Sequence, residues 1–413
     1  MTPVLTPGSR VRFHFHHAEM EGTYVTERED RMVIKLENGY NMGIQASAIL
    51  SSHPPLPPPP LRAAFIEQDP SLPECAIIST GGTIASRIDY RTGAVTSQFS
   101  AEDILRAIPG LGAIARYRTR QISSLLSENM HPGIWRDLAH AIYHEICGGA
   151  RGIIVTHGTD TMGFTASAMA FMIETTVPII FVGSQRSADR PSSDNVMNAL
   201  CSARAAVSEL GEVAVVMHGT TSDDSCAIHR ATRVRKMHTS RRDAFQSIGI
   251  PPLGQVSYPD LTLHLAPHAH LRRDGEARLA DRMEPRCGLL TFVPGTAPEV
   301  LDTCEGYRGL VIAGSGLGHV ASAWVPRLKE LIRGGTIVVM TSQCLRGRVC
   351  DRVYDTGRDL LSIGVIEGED MLPETAFVKL AWVLGHEDDP DRARILMQTD
   401  LRGEICRRSP HGF

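Results

Sequence analysis

Two short stretches carry the residue types needed to open an amide bond. The first, Thr80-Gly81-Gly82-Thr83-Ile84, follows the apolar run Ala76-Ile77-Ile78. The run reads as a buried β-strand, and the two glycines let the backbone approach a ligand while leaving the Thr83 hydroxyl at the tip. The second, Thr156-His157-Gly158-Thr159-Asp160-Thr161, follows the run Gly152-Ile153-Ile154-Val155. Threonine is a weak nucleophile at neutral pH, so Thr83 needs a base or proton relay and donors for the oxyanion it creates. Thr159, Asp160 and one lysine have the chemistry for that relay, because a lysine desolvated beside hydroxyls can accept a proton while a carboxylate holds it in place. Backbone N–H groups of the glycine turn, or the second threonine, can serve the oxyanion. The reaction suggested is acyl transfer from an amide or ester, with no metal and no organic cofactor held by this chain.

Such tips are positioned by strands. Beyond residue 74, strand and helix patterns alternate as in a doubly wound parallel sheet, whose crevice lies beyond the carboxyl ends of its strands. Strands are expected at 119–124, 152–156, 178–182 and 213–217, with helices at 101–108, 132–147, 162–173 and 195–210. Residues 217–222 repeat the look of the second tip, and both are read as tight turns ending parallel strands. Residues 249–286, rich in proline, histidine and charge, read as an interdomain connection. A smaller α/β unit follows, with strands at 289–293, 310–313 and 336–341 and helices at 321–333, 374–384 and 391–398. Its Gly314, Gly316 and Gly318 fit neither the dinucleotide fingerprint nor the P-loop.

Upstream, residues 8–50 show short alternating runs and the hairpin signal Asn38-Gly39, which close naturally as a small SH3-like barrel. His14, His16 and His17 lie on these runs as ordinary surface residues. Six prolines in 54–60 form a semi-rigid spacer. The expected organisation is a β-barrel over 1–53, a linker over 54–73, an α/β domain with the main catalytic residues over 74–270, and a smaller α/β domain over 288–413.

Composition limits the partners. The 413 residues are 42% hydrophobic and 21% charged, with a net charge of -4, so no global attraction to nucleic acid or acidic membranes is expected. No apolar run reaches membrane-spanning length and no signal-peptide start is seen, which points to the cytoplasm. Nine scattered cysteines with no C-x-x-C pair argue against a disulfide framework or a zinc site. Of 42 lysines and arginines, lysine stands only at 35, 236, 329 and 379, so a catalytic lysine has few candidates. The basic run 229–242 reads as a solvated loop, with a docking role for Arg241 and Arg242 as the sharper alternative.

The stretches Thr80-Gly81-Gly82-Thr83-Ile84-Ala85 and His157-Gly158-Thr159-Asp160-Thr161-Met162 resemble the two signatures of the bacterial-type L-asparaginase family. The resemblance implies a two-domain asparaginase-like body, Thr83 as the acylated nucleophile, and Thr159 and Asp160 in the second catalytic group. Leu126-Ser127-Glu128-Asn129-Met130 is similar to the family's substrate loop, which implies that Ser127 and Glu128 bind the amino-acid end of the substrate. In free asparaginases the active-site lysine lies on the helix that here runs through residues 198–206, where no lysine is present. Among the four lysines Lys236, soon after a strand tip, remains for the role.

Three further strings, 33–41, 234–245 and 369–376, resemble the D-type subunits of the archaeal glutamyl-tRNA(Gln) amidotransferases, and the likeness runs over essentially the whole chain. That resemblance implies ammonia release from glutamine or asparagine for a partner, the E-type subunit of the same amidotransferase. The partner would bind ATP and Mg and would amidate Glu-tRNA(Gln). It also implies a homodimer core within a heterotetramer. A free cytoplasmic L-asparaginase is the alternative.

Overall fold

The computed structural model describes residues 5–36, 41–54, 68–81, 86–89, 94–97, 104–105, 107–186 and 192–408. The N-terminal unit contains β1 (Arg10–Phe15), β2 (Ala18–Arg28), β3 (Arg31–Leu36), β4 (Asn41–Ile44) and β5 (Ile49–His53), an antiparallel sheet ordered β4-β3-β2-β1-β5. Alternation explains it: Val11 and Phe13 on β1, with Tyr24, Met32, Ile34 and Ile44, form one apolar face. His14, His16 and His17 are exposed, as expected. The hairpin signal Asn38-Gly39 and prolines 55 and 57–60 lie outside the described residues.

The main sheet has eight strands. In chain order come β6 (Glu74–Gly81), the antiparallel pair β7 (Ser86–Asp89) and β8 (Ala94–Ser97), β9 (Arg116–Leu125), α1 (Pro132–Cys147) and β10 (Gly152–Thr156). Next are α2 (Met162–Met172), β11 (Ile173–Glu174), β12 (Ile179–Val182), α3 (Asn195–Ala206), β13 (Val213–His218) and β14 (Ser225–Arg230). Then follow β15 (Val234–Lys236), β16 (Phe245–Ser247), β17 (Gly254–Ser257), β18 (Leu263–Leu265) and β19 (Arg278–Leu279). The sheet order is β18-β17-β14-β13-β12-β10-β6-β9.

β6 and β10 are apolar without alternation because both of their faces are covered. Cys75, Ile77 and Ile154 enter the core on one side; Ala76, Ile78, Ile153 and Val155 enter the core on the other. Helix α1 begins where Pro132 removes an N–H that had no helical partner, and the His131 ring accepts from Gly133 N.

The sheet is mixed rather than wholly parallel. β9, β6, β10, β12 and β13 run parallel, whereas β14, β17 and β18 are antiparallel. Residues 249–286 are therefore more than a connection: β17 and β18 extend the sheet, and β19 pairs with β11. Their two- to four-residue lengths are too short for a period to emerge from the sequence. Of the helix expected over 101–108, residues 101–103 and 106 lie outside the described residues. Helix α3 stops at Ala206, four residues short of the expected end, where the Ser208 hydroxyl donates to the Ala205 carbonyl at 2.6 Å.

The C-terminal unit is a parallel sheet of β20 (Cys287–Thr291), β21 (Gly309–Gly314), β22 (Ile337–Ser342) and β23 (Ile366–Glu367), in that order. Around it lie α4 (Trp324–Arg333), α5 (Asp355–Ser362), α6 (Pro373–His386) and α7 (Pro390–Gln398). Helix α5 was not expected, since only Gly357 and Leu360 of its eight residues are buried. Helix α6 joins the two α/β units. Leu380 and Val383 pack on the small sheet, while Val378 enters the larger core. Phe377 and Trp382 meet Phe164 and Phe171 of α2 at centroid separations of 6.4 and 6.0 Å.

Candidate active site

β6 carries the first signature between β10 and β9. Thr80 is fully buried; its hydroxyl donates to the Thr156 carbonyl at 3.0 Å, and its own carbonyl accepts from Ser123 Oγ at 3.0 Å. Gly81 has φ +112°, a backbone turn that disfavours any side chain. Thr83 itself, with Gly82, Ile84 and Ala85, lies outside the described residues. The strand that leads to it is thus locked to both neighbouring strands up to Gly81.

The second signature closes on the substrate loop. Thr161 Oγ1 donates to Ser127 O at 2.7 Å, and Ser127 is buried. A Cβ on Gly158 would sit 2.6 Å from Ser127 Cβ and 2.8 Å from its Oγ, so the glycine is needed for the loop to approach. Glu128 is exposed next to Ser127 and makes no hydrogen bond or ion pair among the described residues.

Thr159, Asp160 and Lys236 come together. Lys236 Nζ donates to Thr159 Oγ1 at 2.9 Å and to Asp160 Oδ1 at 2.6 Å. Lys236 ends β15, which pairs with β16 in a two-stranded ribbon separate from the main sheet. Thr159 is buried, and the Asp160 side chain faces solvent. A carboxylate at solvent can hold the ammonium in direction at small desolvation cost, while the Thr159 hydroxyl gives a path for a proton. His157 is fully buried, with Nδ1 against the Gly158 carbonyl at 2.7 Å, and burial pushes its pKa down to about 4. It is neutral at physiological pH, so it adds no competing cation beside Lys236.

Sequence reasoning missed the supports. A Cβ on Gly183 would lie 2.7 Å from His157 O and 2.9 Å from Thr159 Cγ2, so the wall behind Thr159 admits no side chain there. Asn198 Nδ2 donates to Gly183 O at 3.0 Å and to Asp194 Oδ2 at 2.9 Å. Helix α3 thus contributes an amide that holds this wall. Beside Asp160 and Lys236 opens a cavity of about 490 Å³, lined also by Thr291, Gln343 and Glu374. Burial raises the Glu374 carboxyl above its ordinary value, opposed by Arg235 at 3.5 Å.

Only residues 237–241 of the basic run 229–242 are an exposed loop; the residues before them belong to β14, a helical turn and β15. The run's five arginines and its lysine each have an acid partner: Arg230 with Glu212, Arg233 with Asp370, Arg235 with Glu374, Lys236 with Asp160, Arg241 with Asp243 and Arg242 with Asp223. Arg230 and Arg233 are buried. Asp160, Asp370 and Glu374 come from elements far along the chain, so local charge counting could not see the neutralisation.

Residues 74–268 match the family described as Asparaginase, N-terminal, residues 286–397 the Glutaminase/Asparaginase C-terminal domain, and residues 5–51 the GatD N-terminal domain. The chain is 52% identical over 418 residues to the D-type subunit of the glutamyl-tRNA(Gln) amidotransferase of Methanosarcina mazei, covering 96% of this chain and 97% of that one. It is 51% identical over 421 residues to the protein of the same name from Halobacterium salinarum, covering 98% of each. Among solved structures, the thermostable L-asparaginase from Thermococcus kodakarensis superposes with TM-score 0.72 at 31% identity, covering 81% of this chain and 100% of that one. The three family models together and the near-full-length identity to these relatives show that the chain belongs to the family of D-type subunits of glutamyl-tRNA(Gln) amidotransferase.

Proposed function

We propose that this chain is the ammonia-producing subunit of a tRNA-dependent amidotransferase, and that Thr83 is its nucleophile. The observation that carries the reading is Lys236 Nζ, held 2.9 Å from Thr159 Oγ1 and 2.6 Å from Asp160 Oδ1 on the strand tip next to the one that leads to Thr83. Thr83 Oγ attacks the side-chain carboxamide carbon of glutamine or asparagine while its proton passes into the relay of Thr159, Lys236 and Asp160. The C–N bond then breaks, and the relayed proton goes to the departing nitrogen, which leaves as ammonia. An acyl ester remains on Thr83. Water adds to the acyl carbon as its proton passes through the relay to Thr83 Oγ, the bond between the acyl carbon and Thr83 Oγ breaks, and the amino-acid product leaves as a side-chain acid that ionises to the carboxylate. Ser127, buried against Gly158, and Glu128 beside it take the α-carboxylate and α-amino end of the substrate.

The ammonia is used by the E-type partner subunit, which would bind ATP and Mg, activate the glutamate of Glu-tRNA(Gln) and amidate it. A homodimer of this chain would form the core of a heterotetramer. No helix among the described residues is long and apolar enough to cross a membrane, and the complex acts in the cytoplasm, where charged tRNA is consumed. Likeness to the Thermococcus asparaginase favours a free amidohydrolase as the second reading; the match to the GatD N-terminal domain over residues 5–51 favours the amidotransferase reading.

The test joins partner and nucleophile. The chain is co-purified with the E-type partner, and ammonia release is measured with and without glutamyl-tRNA(Gln). Stimulation by the charged tRNA is expected for an amidotransferase component, and indifference to both partner and tRNA would favour the free enzyme. Thr83→Ala should abolish glutamine-dependent amidation yet spare amidation driven by ammonium salts. Retained glutamine-dependent activity would remove Thr83 from the mechanism.

A further inference from the structure

The segment that delivers Lys236 is fastened by parts of the chain far from it in sequence. Arg233, three residues before Lys236, is 1% exposed, and all three of its guanidinium nitrogens donate. Nε donates to Gly403 O at 3.1 Å, Nη1 to Asp370 O at 2.9 Å, and Nη2 to Asp370 Oδ2 and Cys406 Sγ, each at 3.0 Å. Asp370 also binds the tail directly, accepting from Cys406 N at 2.9 Å. One residue earlier, Thr232 Oγ1 donates to Arg402 O at 3.0 Å while the Thr232 carbonyl accepts from Thr375 Oγ1 at 3.0 Å. The tail is itself shaped by Glu404, which accepts from Arg402 N at 2.6 Å and pairs with Lys379 Nζ at 2.6 Å.

We propose that Arg233 is a positioning residue for Lys236, and that residues 400–406 form a strap which sets the lysine's distance to Thr159 and Asp160. The proposal rests on the relay described above. β15 is only three residues long, starting directly after Arg233 and ending at Lys236. At about 3.3 Å per residue, the strand places Lys236 roughly 10 Å from the clamp with no loop between to absorb a displacement. The β15–β16 ribbon is outside the main sheet, so no main-sheet ladder fixes it against the tip of β10. Buried Val234 and Phe245 seat its apolar side; a bond of 2.8 Å between His229 and Ser247 and the Arg235–Glu374 pair at 3.5 Å also hold the ribbon, and the bonds that tie the start of β15 to the tail come from Arg233 and Thr232. Displacement of a catalytic group by about 1 Å is enough to cost on the order of a hundredfold in rate. A bidentate guanidinium among carbonyls, a carboxylate and a thiol is a stiff anchor.

The experiment measures glutamine-dependent ammonia release by the full chain with its E-type partner, comparing Asp370→Asn, Thr232→Val, Lys236→Ala and the double variant Asp370→Asn/Lys236→Ala. Circular dichroism verifies that each is folded. Asp370→Asn is expected to lower kcat at least tenfold with KM changed less than threefold. The milder Thr232→Val should lower kcat about threefold, and it keeps the question answerable if Asp370→Asn does not fold. In the Lys236→Ala background, Asp370→Asn should change the residual rate less than twofold. Unchanged kcat in folded Asp370→Asn or Thr232→Val overturns the proposal, as does an equal loss with Lys236 already gone. Full activity in Lys236→Ala would instead remove the relay, and the positioning role with it.

Discussion

Lys236 and Asp160 meet at the edge of solvent, with side chains 14% and 70% exposed. Ion pairs of that kind contribute about 0–1 kcal/mol to stability, so this pair matters for orienting the ammonium more than for folding. Lys236→Ala is therefore expected to lower kcat for ammonia release by about 10²–10⁴-fold, the range for loss of a positioned acid–base group, with a change in Tm of a few degrees at most. A kcat within twofold of the parent would exclude the relay. Gly158→Ala tests the substrate loop, because its new Cβ would fall 2.6 Å from Ser127 Cβ. Overpacking of this kind costs about 1–3 kcal/mol, and displacement of Ser127 should raise KM for glutamine at least tenfold. A normal KM would take Ser127 out of the binding site.

At the scale of elements, the ends of β10 and β14 bring buried histidines into the sheet. Burial pushes His157 and His229 each down to about 4, below the free value of about 6.5. The unfolded chain then binds more protons than the native one between about pH 4 and 6.5, so stability rises with pH across that window. Asp351, beyond β22, works the other way. Burial, with the negative charge of Glu367 nearby, raises its carboxyl to about 7, and neither of its oxygens has a hydrogen-bond partner among the described residues. The native state holds that proton more tightly than the unfolded state, so stability falls from about pH 4 to 7 and stays lowered above it. Asp351→Asn should leave stability at pH 4 nearly unchanged and raise it at pH 8 by about 4 kcal/mol, read from urea unfolding at the two pH values. Equal stability of parent and variant at pH 8 would show that the carboxyl ionises without penalty.

For the whole molecule, helix α6 and the tail couple the two α/β units. Lys379 on α6 and Glu404 in the tail form an ion pair with both side chains 0% exposed, and Lys379 Nζ also donates to the carbonyls of Met397 and Thr399. Burying both charges is costly, and removing one leaves the other uncompensated. Lys379→Met should destabilise the chain by about 3–5 kcal/mol, with Lys379→Met/Glu404→Leu recovering part of the loss. The recovery is partial because Glu404 also accepts from Leu401 N and Arg402 N. Guanidinium midpoints of the two variants decide it; a double variant no more stable than the single one would contradict the uncompensated-charge account.

Local order in the chain determined much of this protein. The apolar runs ending in small and hydroxyl residues identified β6, β10 and β13 with their tips, because a strand buried on both faces must be apolar throughout and its turn must be tight. The binary pattern at 132–147 and the Pro132 start likewise determined α1. The scarcity of lysine, read with the family resemblance, singled out Lys236 before any geometry. What depended on contacts between distant segments stayed illegible. The edge strands β17 and β18 have only four and three residues, and their pairing partners are chosen by the sheet rather than by their own pattern. The neutralised basic run, Gly183 behind Thr159, and the clamp of Arg233 by residues 370 and 403–406 arise where separate parts of the chain pack together. Tertiary structure alone decided them, because a side chain's partner is set by what folding brings within about 3 Å of it, and sequence separation carries no such distance.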